Sequence, residues 1–274
     1  MASGRMEFHA QSIMQHANFA YCLPYDTEPE EVKDPSQYDR PMKSLILLHG
    51  LTGTDTDWLF GGVAQMISYQ YNLAVFMPTT GNSFYLDRGY QGGNFATYVG
   101  EELPEFINKT FGLCESRENT LIGGLSMGGF GAIHTALAFP DRFSSCIALS
   151  SALVVEAFAK RFGYEKGVVG RKSVDHVEDV LPEQMALDIF GDPAVVLDSD
   201  VNPEVQYQKL KEAGKEIPKL YLAVGTEDDL LEANRKFVSF LEKEGADYTY
   251  EEGPGKHDWF FWNEYLERGL KTVL

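Results

Sequence analysis

The sequence predicts an α/β fold in which a mostly parallel central sheet carries helices on both faces. Short apolar runs alternate with longer helical segments along most of the 274 residues, which is the pattern of parallel strands joined by helical crossovers. The strongest apolar run, at residues 44–48, reads Ser-Leu-Ile-Leu-Leu and is typical of a strand buried on both faces. Neither repeats nor an obvious linker interrupt this order, so we predict a single domain over residues 1–274.

The first half of the chain begins with two strands and then alternates. Apolar residues among polar neighbours in residues 7–23 predict an antiparallel pair, and the acidic stretch that follows predicts a solvated loop. Asp57 is placed to cap a helix. The other elements predicted from apolar periodicity are strands at 44–48, 73–78 and 121–122, and helices at 57–69, 95–111 and 127–138.

The second half continues the alternation after an interruption. Residues 151–200 contain helical pieces with no clear strand between them. We predict that they form a small cap-like insertion over part of the sheet's carboxyl edge; the alternative is a helical excursion without contact to a ligand. The other predicted elements are strands at 145–150, 219–224 and 246–251, and helices at 203–213, 230–244 and from 259 to about 271.

A Gly-rich pentapeptide lies between a predicted strand and a predicted helix. It reads Gly124-Leu125-Ser126-Met127-Gly128 and follows the apolar pair Leu121-Ile122. A serine on a tight turn from strand to helix has its hydroxyl exposed at the top of the sheet, and the crowded backbone needs flanking residues without side chains. Because the flanks and the neighbouring elements fit, we predict that Ser126 is a nucleophile and not an incidental serine.

A serine hydroxyl is a weak nucleophile that needs a base within reach and a third group to orient that base. His257 lies in a Gly-rich loop after a predicted strand, at the sheet edge where Ser126 is expected, and is the predicted base. The acid is expected after an intervening strand, where residues 227–229 are all acidic. Asp228 is the predicted acid, since Asp229 is placed to cap the next helix.

The tetrahedral intermediate of acyl transfer needs N–H donors aimed at its oxyanion. The backbone N–H of Met127, the residue after the nucleophile, is one predicted donor. The loop His49-Gly50-Leu51 follows the strand at 44–48, and the N–H of Leu51 is the second predicted donor. His49 would then be buried and would hold this loop without transferring protons.

Three aromatic residues are predicted to contact the substrate. Phe84 and Tyr85 lie in a long loop, residues 79–93, after a predicted strand, where binding loops of α/β sheets occur. Trp259 follows the predicted base by two residues and would narrow the space beside the acyl carbon. The alternative for each ring is ordinary packing in the core or on the surface.

Composition limits the classes of partner. The net charge of −18, without a basic stripe, argues against nucleic acid and anionic membranes, and no apolar run approaches the roughly 20 residues that span a bilayer. Cys22, Cys114 and Cys146 are odd in number and lack metal spacing, which favours a reducing compartment and predicts a cytoplasmic protein without a metal or cofactor. A small molecule is the expected partner, and homo-oligomerisation stays open.

Three motifs together resemble one known family. They are Gly-Leu-Ser-Met-Gly-Gly at 124–129, Gly-Thr-Glu-Asp at 225–228 and Pro-Gly-Lys-His-Asp-Trp at 254–259. The chain order Ser126, Asp228, His257 resembles that of an α/β-hydrolase. Within that fold the motifs are similar to the esterase D and tributyrin esterase group, and the resemblance extends over about residues 7–270.

This resemblance implies a metal-free serine carboxylesterase for short acyl esters, in a group that includes acetyl, tributyrin, feruloyl and S-formylglutathione esterases. It implies the same triad and oxyanion roles for the five residues proposed above. The chain departs from the group in the loop at 82–87 and the insertion at 151–200, where such enzymes differ from one another. The acyl and alcohol preferences therefore stay open.

We predict hydrolysis of acetyl and butyryl esters, with feruloyl or sugar esters as further candidates. One alternative is a thioesterase acting on S-formylglutathione, which would use the same triad. Another is an acyltransferase, which needs a site that excludes water. A non-catalytic binding module is a third, although such a module usually lacks a triad residue or an elbow glycine, and this sequence has all of them.

Overall fold

A computed structural model describes residues 1–166 and 181–274. Within them lies a sheet built of β1 (Ala2–Ala10), β2 (Gln15–Leu23), β3 (Lys43–Leu48), β4 (Leu73–Pro78), β5 (Thr120–Leu125), β6 (Ser145–Leu149), β7 (Lys219–Gly225) and β8 (Tyr248–Gly253). The strand order across the sheet is β1-β2-β4-β3-β5-β6-β7-β8. The first two strands pair antiparallel with each other, and β2 pairs antiparallel with β4. All other pairs are parallel, so the predicted α/β fold with a mostly parallel sheet is confirmed.

Helices connect most of the parallel strands. They are α1 (Asp57–Phe60), α2 (Ala64–Gln70), α3 (Phe95–Thr97), α4 (Leu103–Phe111), α5 (Met127–Ala138), α6 (Val155–Arg161), α7 (Glu183–Phe190), α8 (Pro203–Glu212), α9 (Leu231–Glu244) and α10 (Trp259–Val273). A π-helical turn, Tyr98–Glu102, joins α3 to α4. Short 3-10 turns lie at Pro29–Glu31, Pro35–Tyr38, Arg117–Asn119 and Val196–Asp198. Over the described ranges, no helix is both long and apolar enough to cross a bilayer.

The apolar side chains of the central strands alternate between two core layers. In β3, Ile46 and Leu48 face a layer that includes Phe130 of α5. Leu45 and Leu47 face the opposite layer, which includes Leu266 of α10. All six side chains are fully buried. A strand covered by helices on both faces has no solvated side, which is why this segment reads as a continuous apolar run.

Two predicted element boundaries are wrong. Strand β1 begins at Ala2 and not near residue 7, because the hairpin pairs continuously from Ala2 with Leu23 to Ala10 with Gln15. The predicted helix at 57–69 is divided into α1 and α2. Asp57 lies inside α1 and does not cap it; its carboxylate accepts the Thr54 N–H at 3.1 Å.

The predicted insertion is only partly described. Helices α6 and α7 and the Val196–Asp198 turn lie within residues 151–200, and no strand interrupts the described part of that range. Residues 167–180 lie outside the described residues. The cap-like role of the insertion therefore stays a prediction.

Candidate active site

The predicted nucleophile lies on a strained turn between β5 and α5. Ser126 has φ 55° and ψ −119°, a conformation that residues with a side chain rarely adopt and that marks functional sites. The turn is close against neighbouring backbone, since a Cβ at Gly128 would lie 2.5 Å from the Leu48 carbonyl oxygen, and a Cβ at Gly124 would overlap Gly128. The elbow glycines are therefore a steric requirement of this turn.

The structure brings Ser126, His257 and Asp228 together. The Nε2 of His257 lies 2.9 Å from the Ser126 Oγ, and its Nδ1 lies 2.9 Å from the Asp228 Oδ2. A carboxylate only accepts hydrogen bonds, so Nδ1 carries the proton and Nε2 keeps a free lone pair. His257 in this tautomer is oriented to accept the serine proton.

Asp228 is held as a carboxylate in a buried position. Its side chain is fully buried, and its Oδ1 accepts the Leu230 N–H at 2.9 Å. Burial opposes ionisation, but hydrogen bonds from His257, Leu230 and Ser150 outweigh it, so the pKa of Asp228 lies below its ordinary value. The acid therefore stays charged through neutral pH.

Backbone hydrogen bonds join the two loops that carry Asp228 and His257. The Thr226 N–H donates to the Gly253 carbonyl at 2.8 Å, and the Glu227 N–H donates to the Gly255 carbonyl at 2.9 Å. On the other side of the base, Asp258 caps α10 and accepts the N–H groups of Phe260 and Phe261. The loop of the predicted base is thus fixed by β7 on one side and by a helix start on the other.

The predicted cap at Asp229 is wrong. Helix α9 has Leu230 at its N-cap, without a side-chain cap hydrogen bond. The Leu230 N–H is instead satisfied by the Asp228 carboxylate, and Asp229 is exposed. The same residue that faces His257 therefore also stabilises the start of this helix.

The two predicted oxyanion donors flank the nucleophile. Met127 is the first residue of α5, where the N–H groups have no partner within the helix. A Cβ at Gly50 would lie 3.5 Å from the Cβ of Ser126, so the loop that carries Leu51 lies directly beside the nucleophile. The oxyanion role of these two N–H groups stays a prediction.

His49 contacts the loop that carries Leu51. It is 1% exposed, with Nδ1 2.7 Å from the Gly50 carbonyl and Nε2 accepting the Thr80 N–H at 3.1 Å. Burial lowers its pKa, so it is neutral, with the proton on Nδ1. Both ring nitrogens are occupied, and His49 does not take part in proton transfer.

The structure corrects the predicted substrate contacts of Phe84 and Tyr85. Both side chains are buried, at 2% and 0% exposure. The ring of Phe84 packs edge-on against Phe130 and Phe190, and the Tyr85 hydroxyl donates to the His49 carbonyl at 2.9 Å. Tyr85 thus supports the loop that carries Leu51, and its position in a long loop could not reveal this contact from sequence.

Trp259 is partly exposed and packs beside the base loop. Its ring lies edge-on to Trp58 at 5.1 Å between centroids and edge-on to Trp262 at 5.3 Å. It also lies against the turn between α1 and α2, because a Cβ at Gly61 would be 2.5 Å from the indole. Its contact with a substrate stays a prediction.

His134 is a second buried histidine, on α5 but away from the triad. It is 6% exposed, stacks on Phe130, and its Nε2 lies 3.0 Å from the Asp200 carbonyl. Burial lowers its pKa to about 4, although the Asp200 carbonyl opposes this shift. The imidazole is therefore neutral in the folded protein at neutral pH.

We expect this histidine to make stability depend on pH below 6.5. The pKa of this imidazole is near its ordinary value of 6.5 in the unfolded chain and about 4 in the folded protein. The free energy of unfolding is thus fully retained above pH 6.5 and falls by about 3 kcal/mol as the pH drops to about 4. Urea unfolding of wild type and His134→Gln from pH 7.5 to 4.5 measures this, because the stability deficit of the variant should shrink as the pH falls. A constant deficit would contradict it.

Metal chemistry has no visible site in the described residues. Over 1–166 and 181–274, no group of three or more His, Cys, Asp or Glu side chains is placed to hold an ion. The reactive side chains that the structure brings together are a serine, a histidine and a carboxylate.

Comparison with known proteins decides the family. Residues 12–273 match the family described as "Putative esterase". The chain belongs to this esterase family. The esterase is 37% identical to an acetyl esterase of Caldicellulosiruptor saccharolyticus over 273 residues, which cover 100% of this chain and 98% of that protein.

Solved structures agree with the fold. A substrate-bound fluorophosphonate-binding serine hydrolase F (FphF) of Staphylococcus aureus has a TM-score of 0.79 to the esterase and 25% identity, covering 99% of this chain and 98% of the other. An S-formylglutathione hydrolase (FrmB) from the same species has a TM-score of 0.79 and 26% identity with the same coverage. The esterase has the α/β-hydrolase fold and is an enzyme of the serine carboxylesterase class.

Proposed function

We propose that the esterase hydrolyses short-chain acyl esters, with Ser126 as nucleophile, His257 as base and Asp228 as acid. The observation that carries this proposal is the unbroken chain of two 2.9 Å contacts from the Ser126 Oγ through His257 to Asp228. The acetyl esterase that matches over the full length supports a small acyl group.

Acylation follows from this geometry. The Ser126 Oγ attacks the carbonyl carbon while Nε2 of His257 takes its proton, and the N–H groups of Met127 and Leu51 bind the oxyanion that forms. When the intermediate collapses, the ester C–O bond breaks and the imidazolium returns its proton to the departing alcohol. Asp228 stabilises the imidazolium without taking up a proton itself.

Deacylation repeats the sequence with water. His257 removes a proton from a water molecule, the hydroxide oxygen attacks the acyl carbonyl, and the Ser126 Oγ leaves with the proton from His257. The carboxylic acid is released and the enzyme is restored. No step requires an ion or an organic cofactor.

Trp259 is the candidate residue for acyl selection, and acyl groups of two to four carbons are the proposed substrates. Its indole lies two residues from the base and is fixed by Trp58 and Trp262, so it would limit the space near the acyl carbon. Flat feruloyl groups and acetylated sugars are further candidates for such a site. The helical insertion at 151–200 is proposed as a cap beside it.

We expect kcat/KM to fall for acyl chains longer than butyrate. In an open apolar channel, each additional buried CH₂ would contribute about 0.8 kcal/mol, so kcat/KM would rise with length; a short pocket gives the opposite trend. The measurement compares p-nitrophenyl acetate, butyrate, octanoate and palmitate. Trp259→Ala should move the preference toward longer chains, and a wild-type maximum at octanoate would refute the short-acyl proposal.

Thioester hydrolysis is the second candidate function. An S-formylglutathione hydrolase of Paracoccus denitrificans (strain Pd 1222) is 36% identical over 127 residues, although these cover only 39% of this chain and 45% of that protein. The same triad would cleave a thioester. The ratio of kcat/KM for p-nitrophenyl acetate and S-formylglutathione separates the two candidates, and we expect the acetyl ester to be preferred.

A fluorophosphonate probe tests the chemistry directly. The expected result is one covalent adduct on Ser126, located by mass spectrometry of the digested protein. A protein that only binds ligands on this scaffold would give no adduct, and an adduct on another serine would displace Ser126 from the proposal.

A cytoplasmic location is proposed from the cysteines. Cys22, Cys114 and Cys146 are free and buried, as is common for proteins of reducing compartments. Burial raises the pKa of the Cys22 thiol to about 11, which keeps it protonated and inert toward oxidation.

A further inference from the structure

Ser150 is a buried hydroxyl that the reaction described so far does not use. It directly follows β6, is fully buried, and has φ 45°. Its N–H donates to the Ala223 carbonyl of β7 at 2.7 Å, which fixes the backbone next to the strand that leads to Asp228. Non-glycine residues held at positive φ cost conformational energy and cluster at functional sites.

The hydroxyl of Ser150 accepts a hydrogen bond from an indole. The Nε1–H of Trp262 donates to the Ser150 Oγ at 3.0 Å. Indole nitrogen is a donor only, so the Ser150 oxygen accepts and its own hydrogen is free to donate elsewhere. The Asp228 carboxylate is the acceptor for that hydrogen, since Ser150 is among the groups that lower the pKa of this carboxyl.

Trp262 also contacts the base. Its ring meets the imidazole of His257 edge-on, with centroids 4.9 Å apart and planes at 89°. Its own position is fixed, because the side chain is 7% exposed and its backbone N–H donates to the Asp258 carbonyl in the first turn of α10. One tryptophan therefore contacts His257 directly and also binds the hydroxyl of Ser150.

We propose that Ser150 and Trp262 are positioning residues that hold Asp228 and His257 in hydrogen-bonding position relative to Ser126. With Ser150 donating to Asp228, three observed contacts close into a ring: Trp262 to Ser150, Asp228 to His257, and His257 back to Trp262. Neither residue touches the ester, and no bond forms or breaks at either. The inference rests on the triad proposed above and adds the two side chains that orient it.

Removal of the Ser150 hydroxyl should act on turnover and not on binding. Asp228 would lose one of its donors in a buried site, where a hydrogen bond to a charged group is strong and cannot be replaced by bulk water. We expect Ser150→Ala to lower kcat by about 10- to 100-fold with KM unchanged within about twofold. The Asp228 carboxylate would also be less stabilised as an anion, so the pH of half-maximal activity on the acid side should move upward.

Trp262→Phe is the matched change at the other end. It retains a ring against His257 but removes the Nε1–H donor. We expect a smaller loss of kcat and a shift of the acid limb in the same direction. If the two residues act through one chain of hydrogen bonds, Trp262→Phe should lower kcat by a smaller factor in the Ser150→Ala variant than in the wild type.

Ser151→Ala is the control. Ser151 is the neighbouring buried serine, and its Oγ has no hydrogen-bond partner among the described residues. It should retain wild-type kcat and the wild-type pH profile. Thermal unfolding of each variant shows whether it is folded, and the pH profile separates positioning from a loss of stability.

Two results would overturn the positioning proposal. The first is a wild-type kcat in Ser150→Ala. The second is a double variant whose loss of kcat equals the product of the two single losses, with the acid limb of its pH profile unshifted. Failure of the proposed triad is separate. It would appear as activity retained in Ser126→Ala, whatever the result for Ser150→Ala. If Ser126→Ala loses activity and Ser150→Ala keeps wild-type activity, only the positioning role is rejected.

Discussion

Ser126→Ala is expected to leave a folded protein with ester hydrolysis about 10⁶-fold slower in kcat. The reason is geometric: the Ser126 Oγ lies 2.9 Å from the Nε2 of His257, and no other hydroxyl takes its place on the elbow. Residual activity should come from the oxyanion donors, which the substitution does not touch. Initial rates with p-nitrophenyl acetate, measured against the uncatalysed rate, give the loss.

The control for this substitution is Ser151→Ala, which removes a buried hydroxyl of the same kind outside the triad. It should retain activity and fluorophosphonate labelling, whereas Ser126→Ala should lose both. Circular dichroism and the thermal midpoint of both variants exclude unfolding as the cause. If purified Ser126→Ala kept more than about one per cent of the activity, another nucleophile would have to be sought.

The elbow and the triad could be predicted because their signals are local and their order is fixed by the sheet. Ser126 ends one parallel strand, and Asp228 and His257 follow two others, so all three arrive at the carboxyl edge. Spacing and flanking glycines suffice for such a prediction, without knowledge of packing.

Packing partners distant in sequence could not be predicted, and they decide the roles that were wrong. Phe84 and Tyr85 lie in a loop after β4, where aromatic rings either contact ligand or fill the core. Tyr85 fills space against α5, since a Cβ at Gly131 would overlap its ring. Gly131 of α5 is thus needed to make room for a tyrosine of another segment.

The division between α1 and α2 has a similar origin. Gly61 and Gly62 lie at the division, and Cβ atoms there would collide with Trp259 and Trp58 respectively. Trp259 comes from the other end of the chain, so periodicity within residues 57–69 gives no sign of it. The same tryptophan is the candidate for acyl selection, and this links a local break in a helix to the proposed substrate range.

Asp228→Asn is expected to lower kcat by about 10⁴-fold while Asp229→Asn stays within about twofold of wild type. The Oδ1 of Asp228 accepts the Leu230 N–H at 2.9 Å, and its Oδ2 faces the Nδ1 of His257. An asparagine would keep its oxygen on the Leu230 N–H and turn its NH₂ toward His257. The imidazole would then have to accept at Nδ1 and carry its proton at Nε2, where it cannot take the proton of Ser126.

The comparison with Asp229 makes this test specific to position. Both substitutions remove one negative charge, but Asp229 is exposed and Asp228 has a fully buried side chain. Steady-state kcat and KM for both variants, with the ester concentration varied at fixed pH 8, separate loss of orientation from loss of binding, because only kcat should fall in Asp228→Asn. A larger loss of kcat in Asp229→Asn would assign the acid to Asp229 and would require the loop after β7 to rearrange when substrate binds.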